Sequence, residues 1–178
     1  PSPKSLTSML DFCGERGLNN VVDISNELTL KYGQPVHIFD LDRIENQELN
    51  FRESKPGEKI ITLDGKTHTL PGKDIVIEDG EGRLIDLCGI MGGSLSSVTD
   101  TTKNVLLFVQ TYESKHIRKT SLNTQVRTLA AQLFEKQPDP DMVLPVLIEG
   151  VKLIQTRAQG LISSSLIDLY PQPAKKSF

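Results

Sequence analysis

Apolar residues recur at helical spacing near both ends of the chain, and each such stripe predicts an amphipathic helix. The first stripe comes before Gly14 and Gly17, either of which can end its helix. A second, short helix is predicted over residues 26–32, where Gly33 stops it. The stripes consist of Leu6, Met9, Leu10 and Cys13 in the N-terminal part, and of Val126, Leu129, Ala130, Leu133 and Phe134, then Leu144, Leu147, Ile148, Val151 and Ala158, toward the C-terminus.

Short apolar runs separated by turn residues fill the middle of the chain and predict β-strands. The pair Asp64-Gly65 is the strongest hairpin signal among them. The predicted strands cover residues 49–53, 59–63, 67–70, 74–78, 84–89 and 104–111, with a returning strand at 162–169. Because the strands lie between helices, we expect an α+β fold in layers, with mixed or antiparallel sheets flanked by helices.

Charge and cysteine usage narrow the class of protein. A formal net charge of −3 gives no overall attraction to nucleic acid, so any RNA contact must be local. The one basic stretch, residues 115–119, is equally well explained as a solvated helix face. Cys13 and Cys88 lie far apart and favour a reducing, cytoplasmic compartment. We expect no membrane span, since no long apolar run is present, and no metal site, since the three histidines lack ligand spacing.

A corner at Gly33-Gln34-Pro35 precedes the most informative polar residue of the chain, His37. Proline cannot continue a helix, so the chain turns there and presents His37 at the start of a strand. Asn26, near the beginning of the short helix, can face the same cavity. A structural histidine bonded to backbone is the alternative interpretation. Residues 89–94 follow a strand and let backbone donors approach a ligand, although a tight structural turn explains them equally well.

Five segments, taken in order and spacing, resemble the editing module (B3/B4 domain) of bacterial phenylalanyl-tRNA synthetase beta subunits. The resemblance extends over nearly the whole chain, through Phe134-Glu135-Lys136. The segments that carry it are Gly33-Gln34-Pro35-Val36-His37-Ile38-Phe39-Asp40 and Cys88-Gly89-Ile90-Met91-Gly92-Gly93, together with residues 19–26, 62–65 and 117–120.

The resemblance implies a three-layer module that hydrolyses the ester of tRNA(Phe) mischarged with tyrosine. It further implies three partners, namely the 3′ end of tRNA(Phe), the remainder of the beta subunit and the alpha subunit. No cofactor is expected in this domain, because ATP and Mg belong to the parent synthetase elsewhere. The chain begins with Pro1 rather than Met, so we expect residues 1–178 to be a single domain excised from a longer beta subunit.

Site residues are carried over from the family one position at a time. His37 and Asn26 match the editing-pocket His and Asn, which we expect to be catalytic. The expected substrate-binding residues are Gly89, Gly92, Phe108, Gln110, Thr128 and Ala130. Of these, Gly89 and Gly92 match the glycines of the pocket loop, and Thr128 and Ala130 match the Thr and Ala of the last motif.

The chain also departs from the family pattern. Phe108 stands where the family has the glutamate that holds the tyrosine hydroxyl, and Leu129 and Leu133 replace an Asp and an Arg. Gln110 lies two residues on and therefore on the same strand face, which makes it a candidate substitute for the glutamate. A strand glutamine bonded to a neighbouring loop is the alternative.

Three functions follow as hypotheses. In the first, His37, Asn26 and backbone donors near Gly89 position water for attack on the aminoacyl ester, without a covalent intermediate. In the second, the domain no longer edits and serves as a structural, tRNA-contacting module, as the loss of polar groups at Phe108, Leu129 and Leu133 suggests. In the third, it binds an amino acid without catalysis. In each case we expect the isolated chain to bind tRNA weakly and in a salt-sensitive manner.

Overall fold

A computed structural model describes residues 2–170 of the chain. Two helix starts in it are fixed by side chains that accept hydrogen bonds from the first turn: Asn19 Oδ1 accepts from the backbone N–H of Val21 and Val22, and Thr128 Oγ1 accepts from that of Ala131. The α-helices are Lys4–Phe12 (α1), Asn20–Tyr32 (α2), Ser114–Thr124 (α3), Leu129–Glu135 (α4) and Val143–Arg157 (α5). The β-strands are Val36–Asp40 (β1), Asn50–Glu53 (β2), Lys59–Ile61 (β3), Thr67–Thr69 (β4), Ile75–Glu78 (β5), Leu84–Leu87 (β6), Met91–Gly92 (β7) and Val105–Val109 (β8).

The strands form three antiparallel units. A four-stranded sheet has the order β2-β5-β6-β7, strands β1 and β8 pair as a two-stranded ribbon, and β3 and β4 form a hairpin. The hairpin turn is the one that Asp64-Gly65 predicts. Gly65 has a φ of 76°, and the Thr62 hydroxyl donates to Asp64 Oδ1 over 2.6 Å. The prediction of a hairpin at this position is therefore confirmed.

Helices cover the sheet on one side, and the ribbon covers it on the other. The side facing α3 and α4 is filled by Val76, Leu87, Ile117, Ala131 and Phe134. The side facing the ribbon is filled by Phe39, Ile44, Ile77, Ile85 and Cys88, with Leu106 and Phe108 packed against them. On its outer face the ribbon meets α2 and α5 through a third cluster of Ile24, Leu28 and Val146.

Helix α5 packs unusually closely on strand β8. A Cβ atom at Gly150 would lie 2.9 Å from Leu107 Cδ2 and 3.1 Å from Leu28 Cδ1. The small residue therefore lets the helix approach both the ribbon and α2. The α+β prediction, with antiparallel sheets between helices, is confirmed, and the ribbon and sheet enclose an apolar interlayer between them.

Two sequence expectations need correction. Helix α2 starts at Asn20 rather than at Asn26, because Asn19 caps it, so Asn26 lies in the middle of the helix. The strand expected at residues 162–169 is not formed: this segment pairs with no strand among residues 2–170, and Leu161 and Ile167 in this region are 92% and 78% exposed. Alternating apolar residues specify a strand only where a sheet edge is available to pair with them. Among the described helices, none is both long and apolar enough to cross a membrane.

Candidate functional site

His37 lies on the inner face of the ribbon, between the two β layers. In the β1–β8 register it is directly opposite Phe108, so the two side chains share one face. Its ring meets the Phe39 ring edge-on, with centroids 4.4 Å apart. The ribbon thus directs His37, Phe39 and Phe108 toward the four-stranded sheet.

Gly92 on strand β7 provides the space in the sheet that His37 occupies. A Cβ atom at Gly92 would lie 2.6 Å from His37 Cε1 and 2.8 Å from Nε2, closer than real Cβ contacts occur. The Leu63 backbone N–H donates to the Gly92 carbonyl over 3.0 Å, which holds the strand beside the hairpin. Only a residue without a side chain fits between the sheet and this imidazole. His37 and Gly92, both predicted as site residues, therefore lie in contact.

The imidazole of His37 is surrounded mostly by protein and is electrically neutral at neutral pH. Burial lowers its pKa from the ordinary 6.5 to about 4. The residue keeps part of its surface open, however, and none of the hydrogen bonds among residues 2–170 involves its ring. A neutral imidazole offers one donor nitrogen and one acceptor nitrogen, and both are unused within the described structure.

Asn26 is half-buried on the flank of α2, and no hydrogen bond or ring contact within residues 2–170 joins it to His37. One helical turn further on, Thr29 Oγ1 accepts from the Val36 N–H over 3.1 Å, which fixes the helix against the start of β1. Asn26 and His37 are therefore on elements that are held together, while their side chains are separate. A joint catalytic role for the two remains a prediction.

Gly89, Thr128 and Ala130 lie toward the helical side of the sheet. A Cβ atom at Gly89, whose φ is +69°, would be 2.6 Å from Ile117 Cδ1 and 3.0 Å from Tyr112 Cδ2. The Thr128 hydroxyl donates to the Ile90 carbonyl over 2.6 Å and caps α4. Ala130 packs against the apolar cluster below that helix. These residues hold the loop of residues 88–93 against α4; whether they also touch a substrate remains a prediction.

Phe108 and Gln110 are two residues apart in an extended segment, so their side chains project to the same side. The Phe108 ring lies 5.6 Å from that of Phe39 and 6.0 Å from that of Phe51. The Gln110 carbonyl accepts from Gln34 Nε2 over 2.7 Å, so the backbone here is fixed by the buried Gln34. In contrast, the Gln110 side-chain oxygen is buried and makes no hydrogen bond of good geometry within residues 2–170. A buried amide oxygen without a well-formed hydrogen bond is chemically available to a hydroxyl.

Asp86 is the polar residue of this region that sequence reasoning missed. It lies on β6 directly opposite Gly92 and is 5% exposed. Burial raises the pKa of its carboxyl from 3.8 to about 7, while a hydrogen bond with the Cys88 thiol opposes that rise. The available signal was a single carboxylate inside the otherwise apolar run of residues 84–88, which indicates a strand covered on both faces.

Cys88 connects Asp86 to Tyr112 and Gln110. Burial raises the pKa of the Cys88 thiol and of the Tyr112 hydroxyl well above their ordinary values. The thiol interacts with both Asp86 and Tyr112, and the Tyr112 hydroxyl interacts with Gln110. In the part of the chain that the structure describes, neither Tyr112 Oη nor Gln110 Oε1 makes a hydrogen bond of good geometry, so these contacts leave hydrogen-bonding capacity unused.

Other parts of the surface show less chemistry. Two shallow grooves, of about 380 and 330 Å³, are lined by residues around Ile60, Arg83 and Leu95 and by residues around Leu6, Met9 and Arg157, away from His37. No three His, Cys, Asp or Glu side chains within residues 2–170 are grouped as a metal site would need. The interlayer around His37 therefore holds the most concentrated unused polar chemistry of the described chain.

Comparison with known proteins agrees with these observations. A model of the B3/4 domain family matches residues 1–159. The phenylalanine–tRNA ligase beta subunit of Geobacter sulfurreducens is 38% identical over 173 residues, or 97% of this chain and 22% of that protein. The corresponding subunit of Carboxydothermus hydrogenoformans is 40% identical over 172 residues, or 97% of this chain and 21% of that protein. That of Streptococcus thermophilus is 38% identical over 162 residues, or 91% and 20%.

The chain spans about a fifth of the length of these relatives. Over that fifth the match is nearly continuous, as the resemblance of the sequence motifs predicts. Because the family model also covers most of its residues, the chain belongs to the B3/4 domain family.

Proposed function

We propose that this domain hydrolyses the ester of a mischarged aminoacyl-tRNA, with Tyr-tRNA(Phe) as its substrate. The relatives it matches are phenylalanine–tRNA ligase beta subunits, and a synthetase whose apolar pocket selects phenylalanine rejects an added hydroxyl only weakly. A second, hydrolytic site that recognises the hydroxyl removes the error. On this proposal the domain works in the cytoplasm as part of such a synthetase.

The observation that carries the proposal is the position of His37. Its imidazole is neutral, makes no hydrogen bond within residues 2–170, lies over the side-chain-free Gly92 and faces Phe108. A structural histidine would be expected to satisfy its ring nitrogens with backbone or side-chain partners. Here the ring nitrogens of the half-buried His37 have no hydrogen-bond partner within residues 2–170, and the ring lies against Phe39 and opposite Phe108, which suits a polar group of a bound aromatic substrate.

The chemistry asked of the site is modest. An aminoacyl ester is intrinsically reactive, so holding water beside its carbonyl carbon and stabilising the oxyanion supplies most of the needed rate. In this proposal His37 orients the water or the terminal ribose, and Asn26 supplies a second polar group from α2. Backbone donors near Gly89 stabilise the oxyanion. No cofactor takes part in this domain, and no covalent intermediate forms.

Recognition of the tyrosine hydroxyl falls to a polar group other than residue 108, since Phe108 cannot accept a hydrogen bond. Gln110 supports this part of the proposal, because its side-chain oxygen is buried, makes no well-formed hydrogen bond within residues 2–170 and lies on the face that Phe108 also occupies. Gly92, Thr128 and Ala130 complete the proposed substrate-binding set. The partners implied are the 3′ end of tRNA(Phe), the rest of a beta subunit and the alpha subunit.

A second candidate function is a module that no longer edits and only shapes the synthetase or touches tRNA. The observation in its favour is the packing of Phe108 against Phe39 and Phe51, which places an apolar ring where the family carries a carboxylate. Leu129 and Leu133 likewise replace charged residues of the family pattern. Such substitutions are tolerated when a site is under no selection for chemistry.

Deacylation of Tyr-tRNA(Phe) by the full-length protein that carries this domain decides between the two. We expect hydrolysis above the spontaneous rate, and a loss of about 10²-fold or more in a His37→Ala variant, a range typical of a positioned polar group. His116→Ala is the matched control, because His116 lies on α3 and pairs with Glu113. Hydrolysis at the spontaneous rate by the unmodified protein would replace the editing proposal with the structural one.

A further inference from the structure

Asp86 is a buried carboxyl group that the proposed chemistry does not yet use. It belongs to a row of residues paired across the sheet: Phe51 on β2 is opposite Ile77 on β5, Ile77 is opposite Asp86, and Asp86 is opposite Gly92. Directly opposite residues in antiparallel strands project from the same face of the sheet. The row therefore faces the ribbon, as the packing of Ile77 with Phe39 also shows.

The ribbon side chains lie over this row in matching order. Phe108 lies near Phe51, with ring centroids 6.0 Å apart. His37 occupies the space that a Cβ atom at Gly92 would need. His37 and Phe108 are themselves direct partners in the ribbon. Asp86 lies on the strand adjacent to that of Gly92, at a distance of one strand spacing. It therefore lies beneath the pair formed by His37 and Phe108.

The carboxyl group has too few hydrogen-bond partners for its burial. Within residues 2–170 its only side-chain partner is the thiol of Cys88, a weak donor. Buried carboxyl groups are ordinarily paired or fully hydrogen-bonded. Tyr112 Oη and Gln110 Oε1, which border the same apolar cluster, are also buried and make no hydrogen bond of good geometry within residues 2–170. Polar groups with unused hydrogen-bonding capacity around one carboxyl indicate a place for a polar group from outside the chain.

We propose that Asp86 is a specificity-determining residue, which binds the hydroxyl of an aromatic aminoacyl side chain that enters between the ribbon and the sheet. The inference rests on the proposed editing function and names the group that selects its substrate. Phe39, Phe51 and Phe108 supply ring faces and edges suited to an aromatic ring. Asp86 is the one residue of the row Phe51-Ile77-Asp86-Gly92 that is both polar and buried. Its carboxyl supplies the hydrogen bond to the hydroxyl.

The chemical form of the carboxyl fits this role. Since its pKa is about 7, the ionised and protonated forms are both populated near neutral pH. The ionised form accepts a hydrogen bond from a phenol, and the protonated form donates one, so a hydroxyl satisfies either. A phenylalanine ring in the same place would leave the carboxyl without its partner, which is the arrangement that discriminates strongly against a missing hydroxyl.

The test uses the full-length protein with its partner subunit and the variant Asp86→Leu, which keeps the branched shape of aspartate without its oxygens, with Asp86→Ala in reserve should the first not fold. We measure deacylation of Tyr-tRNA(Phe) and of Phe-tRNA(Phe) and take their ratio. The expected result is a drop in that ratio of about tenfold or more, as for loss of a buried hydrogen-bonding partner. Asp42→Leu is the control, because Asp42 is an exposed aspartate that accepts a hydrogen bond from Asn104 Nδ2 outside the interlayer. An unchanged ratio in both Asp86 variants would overturn the inference.

A binding measurement separates this inference from the proposed function. We titrate tyrosinamide and phenylalaninamide into the unmodified protein and into Asp86→Leu, because any amino-acid site elsewhere contributes equally to both. Weaker tyrosinamide binding by Asp86→Leu, without a matching loss of phenylalaninamide binding, is expected. If the unmodified protein hydrolyses neither ester, the editing function fails, while Asp86 is still judged by this titration. Equal tyrosinamide binding by the two proteins would then reject Asp86 as the selecting group.

Discussion

Asp74 and Asp86 are both buried aspartates of the same β region, yet they have opposite surroundings. Asp74 precedes β5 on the helical side, where its Oδ1 accepts from the Thr120 hydroxyl over 2.8 Å and its Oδ2 accepts from the Ser54 hydroxyl over 3.0 Å. Asp86 on the ribbon side has, among residues 2–170, only the Cys88 thiol as a side-chain hydrogen-bond partner. The fold uses the first carboxylate to join α3 to the sheet. The second contributes little to holding the structure, which is the pattern of a residue kept for binding.

The largest effect should follow from removing the satisfied carboxylate. Asp74→Ala leaves two buried hydroxyl groups without their acceptor, so we expect a loss of about 3 kcal/mol in the free energy of unfolding. Urea denaturation monitored by circular dichroism measures it. Asp42→Ala, at an exposed position, should change stability by no more than about 0.5 kcal/mol. A loss below about 1 kcal/mol at Asp74 would remove the contrast between the two aspartates.

Replacing the unsatisfied carboxylate should change the pH dependence of stability. The unfolded chain ionises Asp86 near its ordinary pKa of 3.8, whereas the folded chain holds the proton until about 7. The native protein therefore loses stability as the pH rises through this range. Relative to the native protein, Asp86→Asn should gain up to a few kcal/mol between about pH 4 and about pH 7.5.

The pKa shift of His37 makes stability depend on pH in the opposite direction to that of Asp86. Its folded pKa of about 4 lies below the ordinary 6.5, so its contribution to stability is lost as the pH falls from about 6.5 to about 4. In the native protein, the pH dependences of stability that come from Asp86 and from His37 oppose each other. In Asp86→Asn, the dependence that comes from His37 should therefore become visible. Denaturation curves at several pH values measure both. Parallel pH profiles for native and variant protein would show that the Asp86 carboxyl is not held in its neutral form.

A smaller effect should come from filling the space beneath His37. We expect Gly92→Ala to cost about 1–3 kcal/mol by overpacking, and to cost about 1 kcal/mol less in a His37→Ala background. Gly93→Ala is the matched control, because its Cβ would meet the Ile85 carbonyl oxygen at 2.7 Å rather than the imidazole. His37→Ala should therefore leave the cost at Gly93 unchanged. Equal costs of Gly92→Ala in both backgrounds would contradict the contact between Gly92 and His37.

The smallest expected effect is that of the neighbouring amide. If Gln110 assists in holding a tyrosine hydroxyl, Gln110→Ala should lower the preference for Tyr-tRNA(Phe) over Phe-tRNA(Phe) several-fold, equivalent to about 1 kcal/mol. Deacylation rates of the two esters in the full-length protein measure it. Gln132→Ala on α4 provides a control glutamine. An unchanged preference would show that Gln110 does not replace the glutamate of the family.

Local patterns predicted much of this fold because local chemistry determines those parts. Asp64-Gly65 fixes its hairpin through a left-handed glycine, and the apolar stripe of residues 144–158 corresponds to α5, Val143–Arg157. Helix α2 was predicted six residues too short, because the capping role of Asn19 was not recognised. Residues 162–169 have strand periodicity, yet pairing depends on an available sheet edge, which no local pattern reports.

The candidate site was predictable in part. His37 and Gly92 were predicted as members of one site and lie in contact. Asp86 was missed because a single polar residue in a strand is normally taken to face solvent, although the apolar residues around it indicate a strand covered on both faces. What covers Asp86 is the ribbon, whose two strands come from distant parts of the sequence. The surroundings of Asp86 are therefore a non-local property that a single strand does not reveal.

The ribbon also has a consequence for how the protein folds. Its strands Val36–Asp40 and Val105–Val109 are separated in the sequence by the whole four-stranded sheet. Closing a flexible loop of that length costs roughly 4 kcal/mol of chain entropy, a cost that falls once the intervening sheet has formed. The ribbon should therefore dock late, after the rate-limiting step. Substitutions on its inner face should then accelerate unfolding and leave the folding rate nearly unchanged, so the candidate site is assembled last and lost first.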